Sequence, residues 1–518
     1  MTNDDGFDPS GDVRTMCDIV DSTLGPFGAN KLIVEADGTV TTTATGSAVI
    51  GKLDVSNPSI RLLRSGVEGF GEVHGDGASS VVTVLGGLLR EADRLVELGC
   101  HPTVIERGYR EAMTVADEYV ETHARPLSAV GAEAVAETAL TGTRDPAIRE
   151  STASLVTKAI DSVLSDPSTG SDVGQSVTVV SHVGATAAQS ELVPGVVVDT
   201  SPDVRSMPRD VGNAGVAVLS GKVDVPHVSE LDGGEHAFSV DGFETRAAVG
   251  DRERASFIET LNQVVDAGCR AIFTTGGVND RVVTMLANRG IVAFSALDEA
   301  DVALVARATG AMVVPSLDDV SRETLGDGSV SVNRHAGHDM VHVRADAVPV
   351  FTLFCRAPDP RSTDAFERSV EAAVHATTAA LADGRVVPGG GAVEVGASRA
   401  VHQHAPSVTG KEQLAVEAFA DSLLAVPRAL ARNGGMDGWT AIARLVAAHS
   451  TGRDAIGVDS IRGETRDVLT DRPLAEPVKV RRSIWNTATD LAIRFLRVDE
   501  QIFARDLGEG DETVTPRR

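Results

Sequence analysis

The sequence predicts a multidomain α+β protein with helical ends around a βαβ middle. Three observations predict it. Apolar residues at both ends recur at helical spacing. Between residues 271 and 314, short apolar β-type runs alternate with helical patterns, which reads as a parallel sheet. The length of 518 residues gives room for roughly three or four domains.

In chain order, residues 1–15 read as loose and polar, and 16–24 as a helix closed by Leu24-Gly25-Pro26-Phe27-Gly28. Residues 31–43 read as strand, Asp37-Gly38 turn and strand, a hairpin signal. Helices follow to about residue 123. The first long one places Val81, Leu85, Leu88, Ala92 and Leu95 on one face, and Gly99 and Pro102 stop it. In the next, Ile105, Tyr109, Ala112, Ala116 and Tyr119 share a face. Residues 131–160 read as alanine-rich helix, 165–171 as an interrupting Ser/Gly/Asp cluster, and 177–181 and 195–198 as β runs. The middle holds runs at 271–275, 290–294 and 312–314. Gly276-Gly277 does not complete a G-x-G-x-x-G, which argues against a dinucleotide site. Helix returns at 365–383 and, after Val387-Pro388-Gly389-Gly390-Gly391-Ala392, runs to about 505, punctuated at 433–435 and 457–459.

The stretch Gly75-Asp76-Gly77-Ala78-Ser79-Ser80 precedes the first long helix. Free N–H groups and the helix dipole favour an anion there, and Gly75 and Gly77 allow close backbone approach. Asp76 would repel a bare phosphate, so its presence makes sense with a bridging cation; Mg²⁺ takes one or two carboxylates plus phosphate oxygens. The plain alternative is a capped turn with Ser79 or Ser80 as N-cap.

The net charge of −27 argues against a nucleic-acid partner. Only six of the 47 basic residues are lysine, and the acids are spread along the chain; this composition suggests a halophile's cytosol, where molar salt screens the repulsion. No apolar run approaches the roughly 20 residues that span a bilayer, and the first residues lack a signal-peptide pattern, so the expected location is cytoplasmic. Cys17, Cys100, Cys269 and Cys355 have neither metal nor redox spacing and read as reduced core thiols.

Eight ordered motifs are more specific than any one of them: Leu24-Gly25-Pro26-x-Gly28, Gly75-Asp76-Gly77, His101-Pro102-Thr103-x-Ile105, Val387 to Ala392, Gly410-Lys411-Glu412-Gln413, Ala418-Phe419-Ala420-Asp421, Glu476-Pro477 and Leu496-Arg497-Val498-Asp499. Together they resemble the group II chaperonins, the thermosome and CCT type, over almost the full length. The resemblance implies a helical equatorial domain at 1–130 and 386–518, which binds nucleotide and makes ring contacts. It implies a small intermediate hinge domain at 131–193 and 351–385, and an α/β apical domain for clients at 194–350. A lid-like helical protrusion would fall near 236–257, with Phe238, Val240 and Phe243 as its apolar tip.

The resemblance further implies an ATP-binding, ATP-hydrolysing subunit that assists folding of unfolded proteins in a ring of itself or paralogous subunits. In the implied site Gly25 and Pro26 line the phosphates, Asp76 holds Mg²⁺, and Gly77, Ala78, Ser79 and Ser80 cradle phosphate. Gly390 approaches the ribose or base, and Glu476 is the acidic nucleoside contact. Two family acids are missing: Thr45 and Ala372 stand in their places, so no catalytic residue is assigned. Glu371 survives beside Ala372 but points roughly 100° away on a helix. Ala78, Ser79 and Ser80 replace three threonines, and Phe27 replaces a usual lysine. The expectation is ATP and Mg²⁺ binding with impaired hydrolysis; the alternative is a non-folding scaffold or assembly partner on the same fold.

Overall fold

The computed structural model describes residues 9–34, 38, 40–43, 45–52, 57–75, 77–165, 173–224, 243–335, 337–345 and 347–498, with backbone alone at 9, 72, 175 and 243–254. The chain forms two compact units, Met1–Pro126 with Arg385–Arg518, and Leu127–Gly384.

The first unit opens with α1 (Pro9–Asp21), β1 (Lys31–Val34), β2 (Val40–Thr43) and α2 (Gly46–Gly51). It continues with α3 (Pro58–His74), α4 (Ala78–Glu97), α5 (Pro102–His123) and β3 (Arg125–Pro126). The helix at the start begins well before residue 16, correcting the loose polar reading of 9–15. Its buried face is Val13, Cys17 and Val20, and its proline occupies the first position, where the missing N–H costs nothing. The hairpin pairs Val34 with Val40 in antiparallel register. Of its turn, residues 35–37 and 39 lie outside the described residues.

The predicted face of α4 is the core: Val81, Leu85, Leu88 and Ala92 are fully buried and Leu95 nearly so. Tyr109 of α5 is buried beside it and its hydroxyl donates to the Leu88 carbonyl at 2.7 Å, so the buried polar atom is satisfied. Tyr119 is only half-buried; Val120 takes the inward position instead.

The second unit contains α6 (Ala132–Ala139), α7 (Pro146–Leu164), β4 (Val177–Val183), β5 (Glu191–Pro194), β6 (Val196–Val198) and β7 (Asp210–Leu219). Then come α8 (Phe243–Asp266), β8 (Cys269–Thr274), α9 (Asp280–Ala287), β9 (Val292–Phe294), α10 (Glu299–Thr309) and β10 (Val313–Val314). It ends with β11 (Gly326–His335), β12 (His338–Arg344), β13 (Phe351–Ala357) and α11 (Pro360–Asp383). The helical reading of 131–160 is broken at 140–145, where Asp145 accepts from the Ala147 N–H at 2.9 Å and Pro146 restarts the helix.

The seven-stranded sheet has the order β6-β12-β11-β7-β8-β9, with β10 also on β7. It is mixed, which corrects the parallel reading. β7 pairs in parallel with β8 and β10, and β8 with β9, while β11 and β12 add antiparallel strands. The parallel half was legible because its strands are buried apolar runs. In the hairpin Asn333, Arg334, His335, His338 and Asp339 interrupt the apolar pattern. A second sheet, β4-β13-β5, lies in the same unit. Of the anticipated protrusion, 236–242 with Phe238 and Val240 lies outside the described residues; Phe243 begins α8, without a described side chain.

The chain returns to the first unit with β14 (Arg385–Pro388), α12 (Ala392–His404), α13 (Glu412–Leu423), α14 (Ala425–Asn433) and α15 (Gly438–Ser450). It closes with β15 (Ile456–Asp459), β16 (Glu464–Asp467), β17 (Ala475–Pro477) and α16 (Val478–Leu496). Residues 457–459 are thus strand rather than loop: β15 and β16 form an antiparallel hairpin, and β17-β14-β3 a small sheet. All four cysteines are free and buried, and burial pushes the Cys269 thiol up to about 12. Such thiols are inert near neutral pH. Among the described residues no helix is long and apolar enough to cross a membrane.

Candidate functional site

Two helices of the first unit begin in the same unusual way. α4 starts from Gly77 at φ 94° and α12 from Gly391 at φ 77°, and neither has a side chain capping its first N–H groups. Left-handed backbone selects glycine at both starts. Space selects it as well: a Cβ on Gly77 would sit 2.7 Å from Ile484 Cδ1, and one on Gly391 2.5 Å from Pro427 Cβ. The anticipated alternative, Ser79 or Ser80 as N-cap, is not what forms; α4 has its cap residue at Gly77.

Ser79 has another task. Its Oγ accepts from the Gly46 N–H at 3.2 Å, tying the start of α4 to the start of α2. A hydroxyl that accepts still keeps its proton to donate. Thr45, the N-cap residue of α2, sits half-buried at this junction, its side chain making no cap hydrogen bond. Ala78 and Ser80 are buried in the first turn of α4.

The loop with Gly25 and Pro26 is fixed from α14. Asn433 Nδ2 donates to the Asp21 and Leu24 carbonyls at 3.0 and 2.9 Å, and Arg432 reaches the Asp21 carboxylate at 2.6 Å. Gly25 has φ 82° and packs where a Cβ would meet Leu430 Cδ2 at 2.7 Å. Gly25 and Gly391 therefore both abut α14.

Gly389 and Gly390 are laced to their neighbours: the Gly389 N–H donates to the Leu474 carbonyl, and the Val458 N–H to the Gly390 carbonyl, each at 2.8 Å. A Cβ on Gly390 would run into the Val458 carbonyl, so this glycine serves packing against β15 at the least. Glu476 lies beside the loop on β17, paired in register with Val387, and its Oε1 would stand 3.1 Å from a Cβ on Gly389. Its other oxygen meets Arg481 of α16. Arg481 Nη1 also donates to Glu394 Oε1 at 2.7 Å; Arg481 is 4% exposed and Glu394 fully buried.

The first unit thus brings together Gly77, Ala78, Ser79, Ser80 and Thr45 around the α4 start. It brings Gly25, Pro26 and Gly391 to α14, and Gly389, Gly390 and Glu476 to the β14–α12 loop. Asp76 lies outside the described residues. Among the described residues no three His, Cys, Asp or Glu side chains cluster as a metal site. The start of α4 suits an anionic ligand, with no acidic residue among Ala78, Ser79 and Ser80, whereas at α12 the first turn already holds the buried Glu394 and the Ala392 N–H donates to the Gly389 carbonyl at 3.1 Å.

Ala372 belongs to the second unit, on α11, where it is buried at 9% exposure. The nearby acid Glu367 is half-buried. Burial raises its pKa, only partly offset by the Ser181 hydroxyl donating to it at 2.8 Å. Glu371 is raised too, first by desolvation and then by Glu367.

Sequence reasoning missed the Glu394–Arg481–Glu476 chain and the Ser79–Gly46 link. Only the position of Glu394, in the first turn after the glycines, hinted at the former.

Over residues 16–506 the chain matches the TCP-1/cpn60 chaperonin family. It is 33% identical to the thermosome subunit of Methanopyrus kandleri over 507 residues, covering 96% of this chain and 91% of that one. It is 34% identical to thermosome subunit 3 of Haloferax volcanii, covering 95% and 94%, and 31% identical to thermosome subunit alpha of Archaeoglobus fulgidus, covering 95% and 91%. The order of glycine motifs, the mixed multidomain fold and these full-length similarities lead to one statement: the chain belongs to the TCP-1/cpn60 chaperonin family, as a thermosome-like group II chaperonin subunit.

Proposed function

We propose that this chaperonin subunit binds ATP with Mg²⁺ at the glycine-started ends of α4 and α12, and hydrolyses it far more slowly than the family's acids would allow. The observation that carries the reading is the pairing of two glycine-started helix ends with the loss of acids at Thr45 and Ala372. Gly77, Ala78, Ser79 and Ser80 offer N–H and hydroxyl donors to phosphate; Gly25 and Pro26 flank it. Asp76 would hold Mg²⁺, which when bound neutralises phosphate charge. Gly390 and Glu476 face the nucleoside. Thr45 cannot share the metal's water shell as a carboxylate does, and Ala372 can neither orient nor deprotonate the attacking water.

The three domains are assigned as 1–130 with 386–518, 131–193 with 351–385, and 194–350, the last receiving unfolded clients. Ring assembly is supported by the hairpin β1–β2, where Leu32 and Val34 are 67% and 64% exposed, an edge suited to strand addition by a neighbouring subunit. The acidic charge supports work in a cytosol of molar salt.

Phosphate release in molar salt tests the reaction half. The pair Thr45→Asp with Ala372→Asp is expected to raise turnover on the order of 10²- to 10⁴-fold over the unmodified chain, well above either single change. Brisk turnover by the unmodified protein overturns the reading. The non-folding scaffold remains the second reading, and failure of the protein to suppress aggregation of an unfolded client with ATP present would favour it.

A further inference from the structure

We infer that Arg481 is a positioning residue that makes the nucleotide site selective for ribonucleotides, by fixing Glu476 from inside the domain. The inference rests on the nucleotide reading above.

Arg481 is buried between two carboxylates. One arm of its guanidinium donates to Glu394 Oε1 at 2.7 Å and the other meets Glu476 Oε2. Glu394 is anchored in the first turn of α12, where the helix dipole favours a negative charge, and it is wholly buried. A rigid planar fork holds both carboxylates in one arrangement, which a lysine's single ammonium cannot do. Stability is a weak reason for such a group, because buried ion pairs are often matched by apolar residues of equal volume. The arrangement also leaves buried atoms unpaired: Glu394 Oε2 and Arg481 Nε have no partner.

The consequence falls on Glu476. Its Oε2 is taken by Arg481, so the carboxylate cannot swing. Its Oε1 is turned to the Gly389 side, 3.1 Å from where a Cβ there would lie, and Gly389 has no Cβ to cover it. An oxygen held at that glycine edge accepts from a hydroxyl brought to the loop. The vicinal hydroxyls of a ribose are the donors a nucleotide offers. A site built to receive a hydroxyl disfavours the analogue lacking it, because the half-buried Glu476 oxygen, covered by the bound nucleotide, then loses a donor.

The test is calorimetry of the full-length protein in molar KCl and Mg²⁺, with ATP and 2′-deoxy-ATP. The unmodified protein is expected to bind ATP on the order of 10- to 100-fold more tightly than 2′-deoxy-ATP. In Arg481→Lys the ratio is expected to fall toward one while 2′-deoxy-ATP affinity stays unchanged; a merely structural role lowers both affinities together. Arg481→Met strands the buried Glu394 and can fail to fold, so the companion is Arg481→Met with Glu394→Gln, followed by thermal melting, with the same loss of ratio expected. Discrimination retained in both variants overturns the inference and leaves the nucleotide reading standing. Equal binding of the two nucleotides by the unmodified protein also overturns it. Binding of neither overturns the nucleotide reading itself.

Discussion

Within one unit, two pairs of helices begin in opposite ways. α5 and α15 start from His101 and Asp437, whose side chains accept from the Thr103 and Thr440 N–H groups. α4 and α12 start from left-handed glycines that offer a backbone carbonyl but no side chain to their own first turns. Among helices whose start is described, one other, α6, begins on a positive-φ glycine, Gly131 at φ 86°, but with an extended ψ of 152°. α2, α6, α10, α13, α14 and α16 also lack a side-chain cap bond, but from other conformations. The difference teaches where backbone donors are spent. At α5 and α15 the fold uses them, with a gain of about 1 kcal/mol for a good cap. At α4 and α12 no side chain of the cap residue takes them, although the Ala392 N–H donates to the Gly389 carbonyl at 3.1 Å, and tight packing on Ile484 and Pro427 keeps a side chain from intruding.

That contrast can be broken by substitution. Gly391→Ala forces a left-handed alanine and a Cβ against Pro427, part of it backbone at 2.8 Å. The strain of about 1–2 kcal/mol and the overpacking of about 1–3 kcal/mol predict a large drop in denaturation midpoint together with lost nucleotide binding. A stable Gly391→Ala protein would show that the glycine is not required by this geometry. Asp437→Ala is the smaller counterpart. It should cost about 1 kcal/mol in urea unfolding and leave nucleotide affinity unchanged. If it weakens binding as much as Gly391→Ala does, the two kinds of helix start do not differ in function.

What the sequence made legible follows from signal strength. The buried stripe of α4 repeats through five residues and was readable from spacing alone. The glycine loops were readable as positions, because motif order is preserved across the chain. The strands β14, β15, β16 and β17 are three or four residues long, too short to show a period, and in the sequence they look like punctuation or helix. The β11–β12 hairpin was hidden by its polar residues, and α1 by its polar first turn. Contacts were least legible: Arg481 and Glu394 are 87 positions apart, and no local pattern pairs them. Ser79 and Gly46 meet across 33 positions for the same reason.

The smallest effect sharpens the comparison at the far end of α12. His402 there bonds Asp421 at 3.1 Å, and that bond, against some burial, raises its pKa above the usual 6.5. A raised histidine stabilises fully below about pH 6.5, and that contribution is lost as pH rises through the folded-state value. The pair is largely exposed, so the loss between pH 6 and 8.5 should be no more than about 0.5 kcal/mol, and absent in His402→Gln. An unchanged pH profile in that variant would remove His402 as the cause. The helix then carries a histidine–carboxylate pair near its C-terminus and the buried Glu394 in its first turn, so both ends are complemented.

The central claim is that nucleotide binding and hydrolysis have come apart in this chain. Isothermal titration of the unmodified protein with ATP, with Mg²⁺ and then with EDTA in molar salt, beside phosphate release on the same sample, tests it most directly. The account predicts weak, Mg²⁺-dependent heat of binding, lost in Asp76→Ala, with turnover far below that of an acid-restored variant. No binding heat at any ATP concentration, or binding accompanied by brisk phosphate release, would contradict it.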